Sequence, residues 1–213
     1  ETLPGICAVD STKPDELPRS LLAEADHPVP APGGRTIAVH RGMIDVGETW
    51  IMSADGSNPR LIRSGWFPRW SPDGAWLAGQ PETPGNAEVA IVGVDGQGFR
   101  VLAPGYDPAW SPTGRRIAFA VVEGDVASLR TVDVSSGAVE ILHTAPAGEE
   151  ISAPAYLAEG RIAFVQDGND WIFDSSGPRA IMSGHAIEGS PAGDPLAVSP
   201  GGSRIAFTHG AGT

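Results

Sequence analysis

Short runs in which apolar and polar residues alternate recur along the chain of 213 residues, and polar turns separate them. Two examples are WIMSADG at 50–56 and VAIVGVDG at 89–96, each of which ends in an Asp-Gly step. Alternation with a period of two is typical of β-strands, and Asp-Gly is a preferred hairpin turn. The pattern therefore predicts many short antiparallel strands joined by tight turns.

A second pattern lies between these runs and occurs five times. WSPDGAWLA at 70–78 returns as WSPTGRRIAF at 110–119 and as VSPGGSRIAF at 198–207, with weaker copies at 30–39 and 156–164. Proline presets the first central position of a turn, and glycine takes the conformation that other residues resist. The glycines that anchor the five copies are Gly34, Gly74, Gly114, Gly160 and Gly202, which lie 40 to 46 residues apart.

Each period contains four short strands, A to D, with the Ser-Pro-Asp-Gly turn between A and B. Such a unit of about 42 residues is typical of a propeller blade. The chain opens with a C–D pair at 5–22 and closes with an A–B pair at 198–207, and pairing them would remove exposed strand edges. The predicted fold is all-β: one five-bladed β-propeller domain over residues 1–213, built from four-stranded antiparallel blades. Its closing blade is shared between N-terminal strands C and D and C-terminal strands A and B.

The turn motifs resemble those of the TolB-like and WD-repeat-like β-propeller family. PRWSPDG at 68–74 and PAWSP at 108–112 match its A–B signature, and IMSADGSNPR at 51–60 matches its C–D signature. The family includes periplasmic TolB, which docks protein partners, and the propellers that gate prolyl-oligopeptidase-like peptidases. TolB has six blades and an extra domain, so the count of five here departs from it. The resemblance implies a binding module that is periplasmic or secreted.

Charge and composition exclude several partners. The formal net charge is -12, whereas a nucleic-acid binder needs a basic surface to displace counterions from phosphates. No stretch approaches the roughly 20 apolar residues that span a bilayer, so membrane insertion is not expected. The single cysteine, Cys7, cannot close an intrachain disulfide and is expected to be a small core residue of a strand. We expect a monomer.

Motifs for catalysis are missing from the sequence. It contains no Gly-x-Ser-x-Gly elbow and no phosphate-binding glycine loop before a helix. The five histidines, at 27, 40, 143, 185 and 209, do not pair at the spacing of a helical zinc motif. The sequence therefore predicts neither an enzyme, nor a cofactor, nor a metal site, although a cation such as calcium at the channel mouth stays open as an alternative.

The predicted binding face is the mouth formed by the D–A loops, since loop extension on one face of a repeat scaffold often marks the binding face. Trp66, Phe67 and Tyr106 are assigned to these loops, outside the strand register, and exposed aromatic residues are frequent hot spots. Acidic residues precede the A strands, and the two longest loops, at 144–152 and 183–194, are assigned to the same face. The predicted partner-binding residues are Trp66, Phe67, Tyr106, Asp107, Glu150, His185, Glu188 and Asp194, for a protein partner or a small ligand.

The acidic residues leave two interpretations open. Asp26, Asp107, Glu150 and Asp194 could form a ring of carboxylates at the mouth, as in a carbohydrate-active propeller, either a lectin or a glycosidase. Alternatively, each carboxylate caps backbone amides of a turn, because aspartate before proline readily accepts such hydrogen bonds.

Overall fold

The computed structural model describes residues 5–8, 19–43, 46–82, 87–182, 197–199 and 203–206. These residues form antiparallel strands and one short 3-10 turn, and within them no helix is long and apolar enough to cross a membrane. By its internal contacts the chain divides into two compact units. One unit comprises 1–85 with 90–100, and the other comprises 86–89 with 101–213.

The first unit opens with a two-stranded hairpin of β1 (Gly5–Ala8) and β2 (Arg19–Ala23). Ile6 in β1 is buried, and it packs in a core cluster with Met52. Cys7 is exposed, so the prediction of a core cysteine is wrong. The reason is strand alternation, because successive side chains point to opposite faces and Ile6 occupies the inner one.

The next four strands form the first four-stranded blade. They are β3 (Ala25–Pro30), β4 (Thr36–Met43), β5 (Val46–Ser53) and β6 (Arg60–Trp70), which correspond to A, B, C and D. Only the first half of β6 pairs with β5, up to Ser64 opposite Glu48. From Gly65 onward, β6 pairs with the following strand and serves as strand A of the second blade.

The second blade adds β7 (Trp76–Pro81), β8 (Glu88–Gly93) and β9 (Arg100–Pro104), so the sheet runs β3 to β9 in sequence order. Gly65 stands where β6 changes partner, with a φ of +138°. A Cβ there would lie 2.6 Å from the carbonyl oxygen of Gln80, which explains why glycine occupies the position.

The second unit contains two more four-stranded blades and a final hairpin. The first of these blades comprises β10 (Tyr106–Trp110), β11 (Arg116–Glu123), β12 (Val126–Asp133) and β13 (Val139–Thr144). The next comprises β14 (Ile151–Tyr156), β15 (Ile162–Gln166), β16 (Asn169–Asp174) and β17 (Gly177–Met182). The hairpin comprises β18 (Ala197–Val198) and β19 (Ile205–Ala206).

The A–B turns follow the predicted chemistry. In the second blade the amide of Gly74 donates to the carbonyl of Ser71 over 2.9 Å, and Asp73 accepts hydrogen bonds from the Ser71 hydroxyl and from Ala75 N–H. Gly34, Gly74, Gly114 and Gly160 all have φ between +66° and +75°, while Gly202 lies outside the described residues. These glycines anchor the turns because that backbone region disfavours residues with a Cβ.

Trp70 and Tyr156, at the ends of two A strands, pack between blades. In the first unit the Trp70 indole N–H donates to the carbonyl of Val29 on β3, over 2.9 Å, and its ring packs on a buried cluster that includes Leu77. In the second unit Tyr156 packs on a cluster that includes Phe164.

The described residues therefore give four blades of four strands, with the first two sharing β6, plus two hairpins. The β1–β2 hairpin and the β18–β19 hairpin each stand as a two-stranded sheet. Their union into a fifth, closing blade stays a prediction.

Candidate functional site

The A strand of each of the four described blades carries the same irregularity near its beginning. Its pairing with strand B shifts register just before a proline, between Asp26 and Val29, Trp66 and Arg69, Tyr106 and Ala109, and Ser152 and Ala155. We call this feature the A-strand bulge; it comprises residues 26–28, 66–68, 106–108 and 152–154. A β-bulge leaves one residue unpaired and redirects side chains, and bulges are frequent at binding sites.

The residue before the proline adopts positive φ in three of these bulges: +47° at His27, +53° at Asp107 and +47° at Ala153. Histidine and aspartate are among the non-glycine residues that most often tolerate this region. Proline suits the next position, because the bulge interrupts the ladder there and no backbone N–H is needed. The bulge is thus a built feature of the repeat.

The prediction that Trp66, Phe67 and Tyr106 lie in D–A loops is wrong. Trp66 and Phe67 lie inside β6, where the backbone of Trp66 pairs with Gln80, and Tyr106 begins β10 opposite Ala120. The aromatic residues disturbed the alternation because they sit at the bulges, not because the chain leaves the sheet. The side chains of Trp66 and Phe67 lie outside the described part of the structure, and their partner-binding role stays a prediction.

Tyr106 links two neighbouring blades of the second unit. Its hydroxyl donates a 2.9 Å hydrogen bond to the carbonyl oxygen of Ile151 on β14, and its half-buried ring packs on the core cluster of that unit. Burial, together with the negative charges of Asp107 and Glu150, raises the pKa of Tyr106 to about 12. Much of this side chain is therefore occupied by contacts within the unit.

Asp107 forms a second link at the same place. Its Oδ2 accepts a 3.1 Å hydrogen bond from the backbone amide of Ala153 on β14. The bond goes to a backbone amide, as in the capping interpretation, but that amide belongs to the next blade and not to the turn of Asp107 itself. Glu150 precedes β14 with an exposed side chain, and its backbone carbonyl accepts a hydrogen bond from Asp167 N–H.

Three predicted binding residues, His185, Glu188 and Asp194, lie outside the described residues. Their assignment to a binding face stays a prediction.

The first blade fills its bulge differently, with a cluster of three ionisable side chains. Asp26 pairs directly with His40 across the β3–β4 ladder, and His40 Nδ1 lies 2.9 Å from Asp26 Oδ1. His27 Nδ1 lies 3.0 Å from the same oxygen. The two imidazole rings meet edge-on, with 6.4 Å between their centres and 75° between their planes. We call Asp26, His27 and His40 the Asp–His–His cluster.

The cluster combines one buried group with two accessible ones. The His40 side chain is only 1% exposed, whereas His27 is 51% and Asp26 44% exposed. Burial opposes ionisation of Asp26, but hydrogen bonds from His27 and His40 and electrostatic attraction to them outweigh burial. The pKa of Asp26 is therefore held below its ordinary value. The carboxylate is charged and accessible at neutral pH.

Sequence reasoning missed this cluster, although all three residues were inspected. A search for helical spacing cannot find it, because His40 is 14 residues from Asp26 and meets it only across a hairpin. The signal was present in the A–B turn: counting outward from that turn, with one extra residue at His27, brings Asp26 opposite His40.

A polar chain in the second unit involves another histidine. His143 Nε2 lies 2.6 Å from Gln166 Oε1, and Gln166 Nε2 donates to Glu149 over 2.7 Å. The His143 ring stacks on Trp171, and Gln166 is buried. Since the Gln166 oxygen can only accept, His143 carries its proton on Nε2 in this arrangement. His143, Gln166 and Glu149 therefore form a structural hydrogen-bond network in which each side chain has a partner.

The second unit also contains a cleft of about 970 Å³ at the far ends of its A strands. The Arg116–Glu140 ion pair, 2.6 Å apart, lies along it with Tyr156, whose pKa burial raises to about 12. Small-molecule sites commonly occupy about 300–1,000 Å³, so this cleft is a second location that could hold a ligand. Its residues belong to turns and strand ends of the repeat motif, whose pattern indicates the fold and not a ligand.

Comparison with known proteins identifies the fold. No protein-family profile and no curated protein matches the chain. Among solved structures, TolB from Acinetobacter baumannii is similar with a TM-score of 0.69 and 18% identity, over 89% of this chain and 50% of that one. A protein assigned as TolB from Agrobacterium tumefaciens is similar with a TM-score of 0.62 and 20% identity, over 79% of this chain and 66% of that one.

An oligogalacturonate lyase from Vibrio parahaemolyticus is also similar, with a TM-score of 0.61 and 13% identity, over 89% of this chain and 61% of that one. The chain thus spans about half to two thirds of the length of these three proteins. Identities at this level report the fold alone. The chain has the TolB-like β-propeller fold.

Proposed function

We propose that this chain is a non-catalytic binding module that engages a protein partner or a small ligand through residues of its A-strand bulges. The observation that carries the proposal is the difference between repeats. In the second unit, Asp107 at the bulge is bonded to a backbone amide, whereas Asp26 and His27 in the first unit keep about half of their surface accessible. Side chains that neighbouring groups hold in place on a strand, and that stay accessible, are suited to recognition.

The first unit contains two A-strand bulges. Its A strands, β3 and the second half of β6, are in contact through the Trp70–Val29 hydrogen bond. The first bulge provides Asp26 and His27, and the second has Trp66 and Phe67 at the equivalent positions. Aromatic residues beside a polar rim are typical of interaction hot spots. In the second unit we assign Asp107 and Glu150 a polar supporting role, and Tyr106 a positioning role.

The setting of the module follows from the same resemblance to TolB. We propose a periplasmic or secreted monomer, because TolB-like propellers include periplasmic proteins that dock partners. The surplus of acidic residues favours partners with basic surfaces.

The test is site-specific photo-crosslinking of the protein in extract from its source cells. A photoreactive residue at 66 or 67 should give a defined adduct that disappears in the Asp26→Ala/His27→Ala background. The matched controls are Leu61 and Val101, exposed apolar residues on outer strands. Equal labelling from the bulge and the outer strands would overturn the proposal.

A second candidate function is carbohydrate binding or cleavage, which the likeness to an oligogalacturonate lyase favours. The hydrogen bonds that Asp107 and Asp26 already make argue against hydrolysis by a ring of carboxylates. Incubation with oligogalacturonate and a glycan panel tests this candidate. Product formation that Asp26→Asn abolishes would favour an enzyme, and saturable binding without product would favour a lectin.

A further inference from the structure

We propose that the Asp–His–His cluster is a binding site for a divalent transition-metal ion such as Zn²⁺, with Asp26 Oδ1, His27 Nδ1 and His40 Nδ1 as ligands. Both nitrogens lie about 3 Å from the same carboxylate oxygen, and the ligand atoms of all three residues lie within 4.8 Å of one another. Tetrahedral zinc with bonds of about 2.0–2.2 Å holds its ligands roughly 3.3 Å apart. Only small side-chain movements separate the present arrangement from that geometry.

The donor set indicates which metals fit. Two imidazole nitrogens and one carboxylate oxygen suit zinc and its neighbours in the first transition row. Calcium and magnesium prefer oxygen ligands throughout, so the calcium alternative raised by the sequence does not suit this cluster. Three protein ligands leave at least one coordination position for water or for an atom of a bound partner.

Packing holds the buried ligand in place. His40 Nε2 points at the backbone of Gly47, and a Cβ on residue 47 would overlap that nitrogen. The His40 ring therefore fits with Nδ1 turned towards Asp26. His27 is held on the same side by its positive φ at the bulge. A fixed buried ligand beside two accessible ones lowers the conformational cost of binding an ion.

The simpler interpretation of the same distances is a carboxylate that accepts hydrogen bonds from two imidazoles. The two interpretations differ in what happens when a metal is offered, since a metal must replace the protons on both Nδ1 atoms. The overall charge of -12 attracts cations everywhere on the surface, so a specific site must be separated from this background.

The experiment is calorimetric titration of chelator-treated protein with ZnCl₂, using wild type, Asp26→Asn, His27→Ala and Asp55→Asn. Asp55 is the matched control, an exposed aspartate in a turn that accepts hydrogen bonds from Ser57. Loss of an outer partner of a metal ligand commonly costs about 10–100-fold in affinity, so loss of a ligand should cost at least tenfold. We expect one saturable site in wild type and in Asp55→Asn, weakened at least tenfold in the other two variants.

A second readout reports the ligands directly. Co²⁺ bound by two imidazoles and a carboxylate should give visible absorption bands that disappear in His27→Ala. Circular dichroism confirms that each variant is folded, and both substituted residues are half-exposed. Absence of a saturable site, or an affinity unchanged in Asp26→Asn and His27→Ala, would overturn the proposal. Partner crosslinking from 66 and 67 uses no added metal, so the two proposals can fail separately.

Discussion

Asp107 and Ala153 occupy equivalent positions in successive blades, both with positive φ, and the Asp107 carboxylate accepts the Ala153 amide proton over 3.1 Å. One repeat thus fastens its bulge to the bulge of the next. The relationship gives a structural role to a residue that sequence reasoning placed on a binding rim.

The first prediction concerns this link. Asp107→Ala should lower the free energy of unfolding by about 1–3 kcal/mol, because a part-buried amide loses a charged acceptor. Asp107→Asn keeps an acceptor oxygen and should lose less. Urea denaturation measures both. Glu150→Gln is the control, since the Glu150 side chain is exposed, and a loss as large as that of Asp107→Ala would contradict the assignment.

The second prediction concerns the two tyrosines, the only ones in the chain. Burial raises the pKa of Tyr106 and of Tyr156 to about 12, from an ordinary value of 10. The folded state therefore holds these protons more tightly, so their contribution to stability is complete below pH 10 and is lost as the pH rises towards 12. Ultraviolet titration of tyrosinate should show no step near pH 10 in the folded protein.

Tyr106→Phe separates the two tyrosines. It should leave a single late titration step, from Tyr156, and remove the hydrogen bond to Ile151, at a cost of about 1 kcal/mol. A tyrosine that titrates near pH 10 in the folded wild type would contradict the burial of these hydroxyls.

The third prediction concerns Gly47 and His40. Gly47→Ala should destabilise the fold, because the new Cβ overlaps the buried imidazole. In a His40→Ala background the same change should cost much less, since the obstacle is gone. A thermal-denaturation double-mutant cycle measures this coupling, which should exceed about 0.5 kcal/mol. Additive effects would show that the glycine is needed for another reason.

The fourth prediction concerns Cys7, which is exposed on β1. A thiol reagent should label one equivalent of the native protein rapidly and without denaturant, as expected of an accessible thiol. Chain unfolding should increase the rate only slightly. Labelling that requires urea would show that Cys7 is buried in the core and contradict its exposure.

The repeats and their turns could be predicted from the sequence because they depend on local chemistry. Ser71 to Gly74 makes its own hydrogen bonds, and β8 and β12 stand out in the sequence as short, largely apolar segments between turns. The propeller fold followed from the spacing of these local features.

The bulges and the Asp–His–His cluster could not be predicted in the same way. Positive φ at His27 arises from cross-strand register together with the following proline, and neither is visible in alternation alone. The bulges at Trp66 and Tyr106 were consequently mistaken for loops. The prediction that Cys7 is a core residue was wrong for a related reason, because a strand pattern does not show which of its two faces is buried.

The continuity of β6 has a consequence for how the molecule comes apart. In the second unit, residues 145–150 separate β13 from β14, whereas β6 is one unbroken strand of 11 residues that belongs to two blades. Repeat proteins usually unfold as coupled neighbours, with coupling set by the interface between repeats. Here the continuous backbone of β6 replaces part of that interface. The first two blades should therefore unfold together as one cooperative unit, or foldon. Their slowest-exchanging amides, in β4, β5, β7 and β8, should share a single opening free energy in native-state hydrogen exchange.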